Sequence, residues 1–330
     1  MVEQDKKIFV TGATGMVGSH LVKALALRGY AVKASYRTTH PVVEDVEWIH
    51  ADILDVVALE EALQDTDVVF HCAAIVSFDP SHADSLYKNN VEGTANVVNA
   101  ALDAGVRQFV HVSSVAAIGG AEGTLITEES QWQYDEIHND YAKTKHAAEM
   151  EVRRGELEGL DVYIANPSII LGNGDWDKGS TALFKKIYNR FPYYTEGVHG
   201  FVDVMDVVDV LVRFLEKPSS ALKGQRFILN AGNISYKHLF DLMAKGFSVP
   251  GPDKKVTPLM AGIVWRLSYL KGKLTGRSSA LTRNSARIAQ ADIRYDNSKI
   301  LSALPGFHFQ PIEQSIRRIC GELEEKYAPA

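Results

Sequence analysis

Six short apolar runs separated by segments of helical pattern constrain this 330-residue chain more than any other feature. They are KIFVT (7–11), AVKASY (31–36), VEWIHA (46–51), DVVFHCA (67–73), RQFVHVS (107–113) and DVYIANP (161–167). Several are apolar almost throughout, as expected of strands covered on both faces. Between them lie helix candidates at Met16–Arg28, Asp84–Ala104 and Asn139–Arg154, each followed by a glycine (Gly29, Gly105, Gly155), the residue favoured just past a helix end. Strand, helix, strand in this rhythm predicts right-handed crossovers, a parallel sheet and an α/β, doubly wound architecture. After about residue 170 the rhythm weakens, and β-like pieces GFVDV (200–204) and RFILNAG (226–232) mix with helical ones.

The first run leads into VTGATGMVGSH, where Gly12, Gly15 and Gly18 stand three apart between a strand and a helix. The first amides of a helix lack intrahelical partners and, with the helix dipole, attract an anion. Gly12 would permit the tight turn, Gly15 the approach of a pyrophosphate, and Gly18 the closure of the helix on the sheet. The spacing is GxxGxxG rather than the dinucleotide fingerprint GxGxxG, and a purely structural glycine turn is the alternative. At the end of the second run, ASYRTTH offers Arg37 and no acid. An acid there would hold the ribose 2′-hydroxyl of NAD; an arginine suits a 2′-phosphate, so NADP is expected over NAD unless Arg37 is only a solvated surface residue. Asp52, in ADIL, ends the third run and could meet an adenine amino group or cap a helix. The expected division is a dinucleotide-binding sheet over 1–168 and a smaller, partly interleaved substrate lobe over 169–330, with some segments returning to the sheet.

Tyr141 and Lys145, in NDYAKTKHAAE, are four apart and share a helix face. A phenol with a pKa near 10 is a poor proton donor at neutral pH, and a neighbouring ammonium would lower it. The pair alone could be a solvated face. It gains meaning from Ser113 and Ser114, in HVSSVAAIGG, which end the fifth run, where open parallel sheets bind ligands. A serine there could equally be a cap or turn residue.

Taken together, these segments resemble the extended branch of the short-chain dehydrogenase/reductase superfamily, the NAD-dependent epimerase/dehydratase type. TGATGMVG, ADIL, HCAA (71–74), NNVEGT (89–94), HVSSVAAIGG, YAKTK, NPSIILGNGD (166–175), FVDVMDVVD (201–209) and YDNSKILSALPGF (295–307) carry the resemblance almost end to end. Within the branch, Arg37 and PSIILGNGDW look most like dihydroflavonol-4-reductase-like proteins, a group shading into cinnamoyl-CoA reductases and hydroxysteroid dehydrogenases. The resemblance implies a Rossmann-type sheet and NADPH-dependent reduction of a carbonyl to an alcohol. Tyr141 would be the general acid, Lys145 would tune it and hold the nicotinamide ribose, and Ser114 would donate to the carbonyl oxygen. Gly12, Thr14, Gly15, Met16 and Val17 would line the diphosphate. Asp52 and Ile53 would meet adenine, with Ala73 and Ala74 beside the adenosine half, and Pro167 and Ile170 would face the nicotinamide. Asn90 would order the neighbouring helix or be structural. Two rivals stand: a nucleotide-sugar epimerase or dehydratase retaining NAD, and a dinucleotide-binding sensor without turnover.

The remaining features exclude more than they assign. A net charge of −6 leaves no basic footprint for nucleic acid. Cys72 and Cys320 make no disulfide framework, and no metal pattern is present; His71 and His111 read as satisfied or edge histidines, and Cys72 as an apolar filler. Asp203, Asp206 and Asp209 fit a helix start with a solvated face. The start, MVEQDKKIFV, lacks a signal-peptide pattern, and the apolar window 256–270 is too short to span a bilayer, so a cytoplasmic protein is expected. The resemblance to the extended branch implies that helices 84–104 and 139–154 pair in a homodimer, through Leu86, Val97, Val98, Ala101 and Ala148, unless these only cover the sheet. The basic stretch 271–287 reads as a solvated loop rather than a membrane or substrate contact. A small carbonyl substrate would meet residues near 77–79, 118–134, 175–205 and 258–290. FPYYTEG (191–197) would either border that substrate or pack in the lobe core.

Overall fold

The computed structural model describes residues 6–132, 139–257, 259–260, 262–263, 265–266 and 283–327. Most of the 271–287 stretch and of the expected substrate segment 258–290 therefore lies outside the described residues, as do 133 and 134.

The six runs become strands β1 (Lys7–Thr11), β2 (Ala31–Tyr36), β3 (Val46–His50), β4 (Val68–His71), β5 (Gln108–Val112) and β6 (Asp161–Pro167). A seventh, β7 (Gln225–Leu229), returns to their sheet beside β6. All seven are parallel, in the order β7-β6-β5-β4-β1-β2-β3. The order reverses between β1 and β4, and a crevice opens beyond the carboxyl ends of strands at such a point. This is the expected Rossmann-type α/β sheet.

Both faces are covered, which is why the strand runs are apolar throughout. On one face, helices α1 (Met16–Ala26) and α7 (Val204–Glu216) bury Leu21, Leu25, Val207 and Phe214 against Val10, Phe70 and Phe227. On the other, α2 (Val56–Ala62), α4 (Gly93–Asp103) and α5 (Asp140–Leu157) bury Leu59, Val97, Val98 and Val152 against Phe9, Val69 and Phe109. The second half adds a three-stranded sheet of Ile169–Leu171, Val198–Asp203 and Gly232–Ser235. Helix α6 (Thr181–Tyr188), helix α8 (Tyr236–Gly246) and the C-terminal helix Ile312–Tyr327 enclose a separate core around Phe184, Phe201, Phe247 and Ile319.

Several helix expectations need correction. The segment 84–104 is not one helix: α3 (Ala83–Tyr87) runs into a π turn at Lys88–Glu92 before α4. That wider turn buries Asn90, whose side chain accepts from Ile75 N and donates to Ile75 O and Thr144 Oγ1. The bonds pin the loop after β4 to helix α5. Helix α5 passes through Gly155 and ends at Leu157, and the left-handed residue beyond it is Gly159 (φ 122°). Gly155 is needed for approach instead, since a Cβ there would lie 2.7 Å from Val98 Cγ1 and 2.9 Å from Leu160 Cδ1.

The aspartates do not form a solvated face. Asp203 caps α7 and takes a bidentate bond from Arg318, both at 2.7 Å. Asp206 is buried and accepts from Gln310 N, while Asp209 pairs with Arg213. Leu86, Val97, Val98, Ala101 and Ala148 are buried within the single chain, so their apolar surface is already used. Phe191 and Tyr193 of FPYYTEG are partly exposed rather than core.

Candidate active site

The glycine turn closes on neighbouring backbone. Gly12 adopts φ 64°, and a Cβ on it would lie 2.6 Å from Ala73 N, so β1 and the end of β4 meet there only because side chains are absent. A Cβ on Gly18 would fall 2.2 Å from Gly12 O. Gly18 thus lets α1 close on the turn itself, not on the sheet as the spacing suggested. Gly15 is the N-cap of α1 with no side-chain cap and no acid in the first turn. Among the described residues its only near neighbour at the Cβ position is Gly12 O at 3.2 Å, which leaves this face of the helix terminus open to an anion.

Around that terminus a crevice is lined by Gly12, Thr14, Gly15, Ser35, Tyr36, Arg37, Ala51, Ile53, Cys72, Ala73, Ala74, Ile75 and Asn89. Seven of the residues expected to bind the cofactor, Gly12, Thr14, Gly15, Arg37, Ile53, Ala73 and Ala74, come together here. Arg37 is exposed at the rim, 3.9 Å from Asp52 across the ends of β2 and β3. Asp52 Oδ1 accepts from Leu54 N, and the cap of α2 is Asp55, not Asp52. Met16 packs on Gly172 and Gly174, and Val17 and Ile170 pack against the α1–α7 core. His20 ties α1 to the same 172–174 loop through Asn173 Oδ1 at 2.7 Å. Pro167 is buried at the end of β6. The glycine cradle and the open helix terminus fit the diphosphate of a nicotinamide dinucleotide, with a cation, Arg37, at the rim.

Beside the crevice, β5 ends at Ser113 and Ser114. Ser114 caps a short turn by accepting from Ala116 N, and its hydroxyl lies near enough to the Tyr141 phenol to favour the phenolate. Tyr141 lies in the first turn of α5, whose N-cap Asn139 accepts from Ala142 N. Its ring meets the edge of Phe78 with centroids 5.9 Å apart. One turn on, Lys145 is buried and its Nζ donates to Val112 O at 3.1 Å. Phenol, hydroxyl and amine therefore converge on the end of β5.

The electrostatics differ from the sequence expectation in one respect. Burial pushes the Tyr141 phenol upward from its usual value, and the bond from Ser114, rather than the ammonium, is what pulls against it. Removing a phenolate from water costs more than the Ser114 hydroxyl returns. Burial also pushes Lys145 down to about 8, against the opposing pull of Glu149 and then Cys72.

Sequence reasoning missed what lies behind the hydroxyl. Glu149 is fully buried on α5; its Oε2 accepts from Ser113 Oγ (2.8 Å) and Asn166 Nδ2 (3.0 Å), and Oε1 faces Arg226 at 3.3 Å. Asn166 Nδ2 also donates to Ser114 O. The signal available was the i, i+4, i+8 spacing of Tyr141, Lys145 and Glu149 along one helix face.

His71 is satisfied as expected: Thr94 Oγ1 donates to Asn90 O, so His71 Nε2 donates to Thr94 and Nδ1 accepts from Thr11 Oγ1. His111 is neither satisfied nor at an edge. It is buried in a central strand, stacked on His71 at 5.3 Å, with no hydrogen-bond partner among the described residues. Burial pushes His71 to about 3 and His111 well down, so both are neutral. Cys72, pushed up to about 12 by burial, stays a thiol and lines the crevice.

With the geometry in place, comparison with known proteins is decisive for the family. The model of the NAD dependent epimerase/dehydratase family matches residues 8–232. The chain belongs to that family. A Synechocystis sp. protein named "Putative dihydroflavonol 4-reductase" is 29% identical over 93% of this chain and 92% of its own length. UDP-glucose 4-epimerase of Vibrio cholerae is 30% identical over 89% of this chain and 89% of its own. Among solved structures, gox2253 superposes with a TM-score of 0.82 at 26% identity, covering 98% of this chain and 99% of that one. As a member of this NAD dependent epimerase/dehydratase family, the chain is an NAD(P)-dependent enzyme of the extended short-chain dehydrogenase/reductase type acting on CH–OH groups. No helix among the described residues is long and apolar enough to cross a membrane.

Proposed function

We propose that the protein reduces an aldehyde or ketone to an alcohol with NADPH. The observation that carries this reading is the convergence of Ser114, Tyr141 and Lys145 on one strand end, beside the glycine cradle. NADPH, when bound, supplies the hydride; the rest of the chemistry belongs to the chain. Ser114 donates to the carbonyl oxygen and stabilises charge as it develops there. Tyr141, beside the Ser114 hydroxyl, gives the phenolic proton to that oxygen. Lys145 supplies a positive charge beside the phenolate left behind and a donor for ribose hydroxyls. Gly12, Thr14 and Gly15 bind the diphosphate, with Met16 and Val17 behind them. Arg37 holds the 2′-phosphate, Asp52, Ile53, Ala73 and Ala74 flank the adenosine half, and Pro167 and Ile170 back the nicotinamide.

Phe78, part-exposed with its ring against the phenol, and the exposed Val76 two residues before it support an apolar or aromatic substituent on the carbonyl. The lobe beyond residue 168 selects it. We place the enzyme in the cytoplasm as a homodimer. The dimer would have to use the exposed Tyr87, Met150 and Leu157 rather than the residues first expected. The likeness to a UDP-glucose 4-epimerase keeps a second reading, epimerisation or dehydration of a nucleotide sugar with retained NAD. Arg37 at the rim and the lack of an acid at the end of β2 speak against it. A panel of aldehydes and ketones separates the readings. The proposal expects NADPH oxidation and no NAD released on denaturing the purified protein. Tightly held NAD with turnover of nucleotide sugars would favour the second reading, and NADPH binding without any oxidation a sensor.

A further inference from the structure

We propose that Glu149 is a positioning residue for this reduction, its buried carboxylate fixing the Ser114 strand end through Ser113 and Asn166 and supplying the counter-charge that holds Lys145 as an ammonium. The inference rests on the reductase reading for its catalytic half only. Glu149 is 0% exposed, yet a carboxylate removed from water is tolerated only when its oxygens are well bonded. Three donors from three separate elements meet it: Ser113 from the end of β5, Asn166 from β6 and Arg226 from β7. Asn166 spends the same amide on Ser114 O, so the strand end bearing the hydroxyl is braced against α5 on its carbonyl side. Ser113 N is held in turn by Ala165 O, one residue before Asn166. The adjacent serines therefore have different tasks: Ser113 faces the carboxylate, and Ser114 faces the phenol.

The charge argument is independent of the brace. Around Lys145 the other titratable groups are Tyr141 on its own helix, His71 and Cys72 at the end of β4, and His111 on β5. The phenol and thiol are protonated and both imidazoles neutral at pH 7, whereas Glu149 sits one helical turn on, with Arg226 beyond it. Burial pushes Lys145 toward neutrality, and Glu149 is foremost among the groups opposing it. Without that carboxylate the amine would lose its proton at lower pH and with it the hold on ribose and phenolate.

The test follows Lys145 directly in the full chain by NMR of 13C-labelled lysine, assigned with Lys145→Met, beside pH–rate profiles with NADPH. Glu149→Gln, checked for folding by circular dichroism, is expected to move the Lys145 titration downward by about one pH unit or more. The alkaline limb of kcat should move with it. A folded Glu149→Gln whose Lys145 titrates as in the wild type overturns the charge role, whatever the assays show. Ser113→Ala breaks one strut without altering charge. It is expected to lower kcat about tenfold or more at unchanged NADPH affinity and unchanged Lys145 titration; an unchanged kcat overturns the brace, and this variant decides it should Glu149→Gln not fold. A wild type inert on every carbonyl would refute the reductase reading instead, leaving the titration to decide the charge role.

Discussion

At the scale of single residues, the site makes two demands that can be separated by substitution. Tyr141→Phe removes the proton donor but leaves the ring against Phe78, so turnover is expected to fall about 10²–10⁴-fold with NADPH affinity nearly unchanged, read by steady-state kinetics and fluorescence titration. Arg37→Glu places a carboxylate where the 2′-phosphate would sit and should move the NADPH/NADH preference toward NADH; an unaltered ratio in both cofactors would show that Arg37 does not read the phosphate. In the proposed reaction Lys145 sets the pH dependence. Its charged form is the useful one and it loses its proton at about 8, so the reduction rate should hold below that pH and fall as pH rises through it. A profile flat to pH 10 would contradict that role. The grouping of Tyr141, Lys145 and Ser114 was legible because it lies in short spacings and at one strand end. Glu149 and Arg226 were not, since they meet across 77 residues and only the sheet order brings β6 and β7 beside α5. The direction of the phenol's shift was also hidden, because a sequence shows the neighbouring charge but not the burial that outweighs it.

At the scale of elements, strands were read closely because each is a buried apolar run bounded by polar or glycine residues. β2 and β6 fall on the very residues expected. Helix ends were read well where a glycine takes a left-handed conformation, as at Gly29 (φ 79°) and Gly105 (φ 71°). They were misread at Gly155, where the glycine answers to packing between α4 and α5 instead. The π turn at 88–92 leaves no mark in side-chain periodicity, because its purpose is the bonding of one residue, Asn90. The glycine turn gives a prediction at this scale. Gly18→Ala sets a methyl 2.2 Å from Gly12 O, a backbone atom with no freedom to rotate away. The helix must then lift off the turn, costing about 1–3 kcal/mol and weakening NADPH binding. Thermal melts with and without NADPH check this. A variant as stable as wild type, with equal NADPH affinity, would mean the helix is not seated on the turn.

At the scale of the whole molecule, the sheet and the second-half core are joined by the C-terminal segment. Arg318 reaches Asp203 at the head of α7, and Gln310 donates to Asp206 one turn later. Burial pushes Asp206 up to about 7, against an ordinary value of about 3.9 in an unfolded chain. The folded chain therefore holds this proton more tightly, and the contribution to stability falls as pH rises from about 4 to about 7, then stays level. Asp206→Asn keeps an acceptor for Gln310 without the charge. It is expected to melt about 2–4 °C above wild type at pH 8 and level with it at pH 4; a constant difference at both values would assign the effect to packing. The joining of the two halves was hard to read from the sequence, because the burial of Asp203 and Asp206 depends on partners more than 100 residues away, Arg318 on the C-terminal helix and Gln310 just before it.

The central claim is that a hydride passes from bound NADPH to a carbonyl carbon while Tyr141 protonates the oxygen. Deuterium tracing from NADPH carrying deuterium at both C4 positions of the nicotinamide tests it most directly, with whichever carbonyl of the panel is consumed. One deuterium on the new carbinol carbon, accumulating with wild type and nearly lost with Tyr141→Phe, is the result expected; product free of deuterium, or equal label with both proteins, would contradict the account.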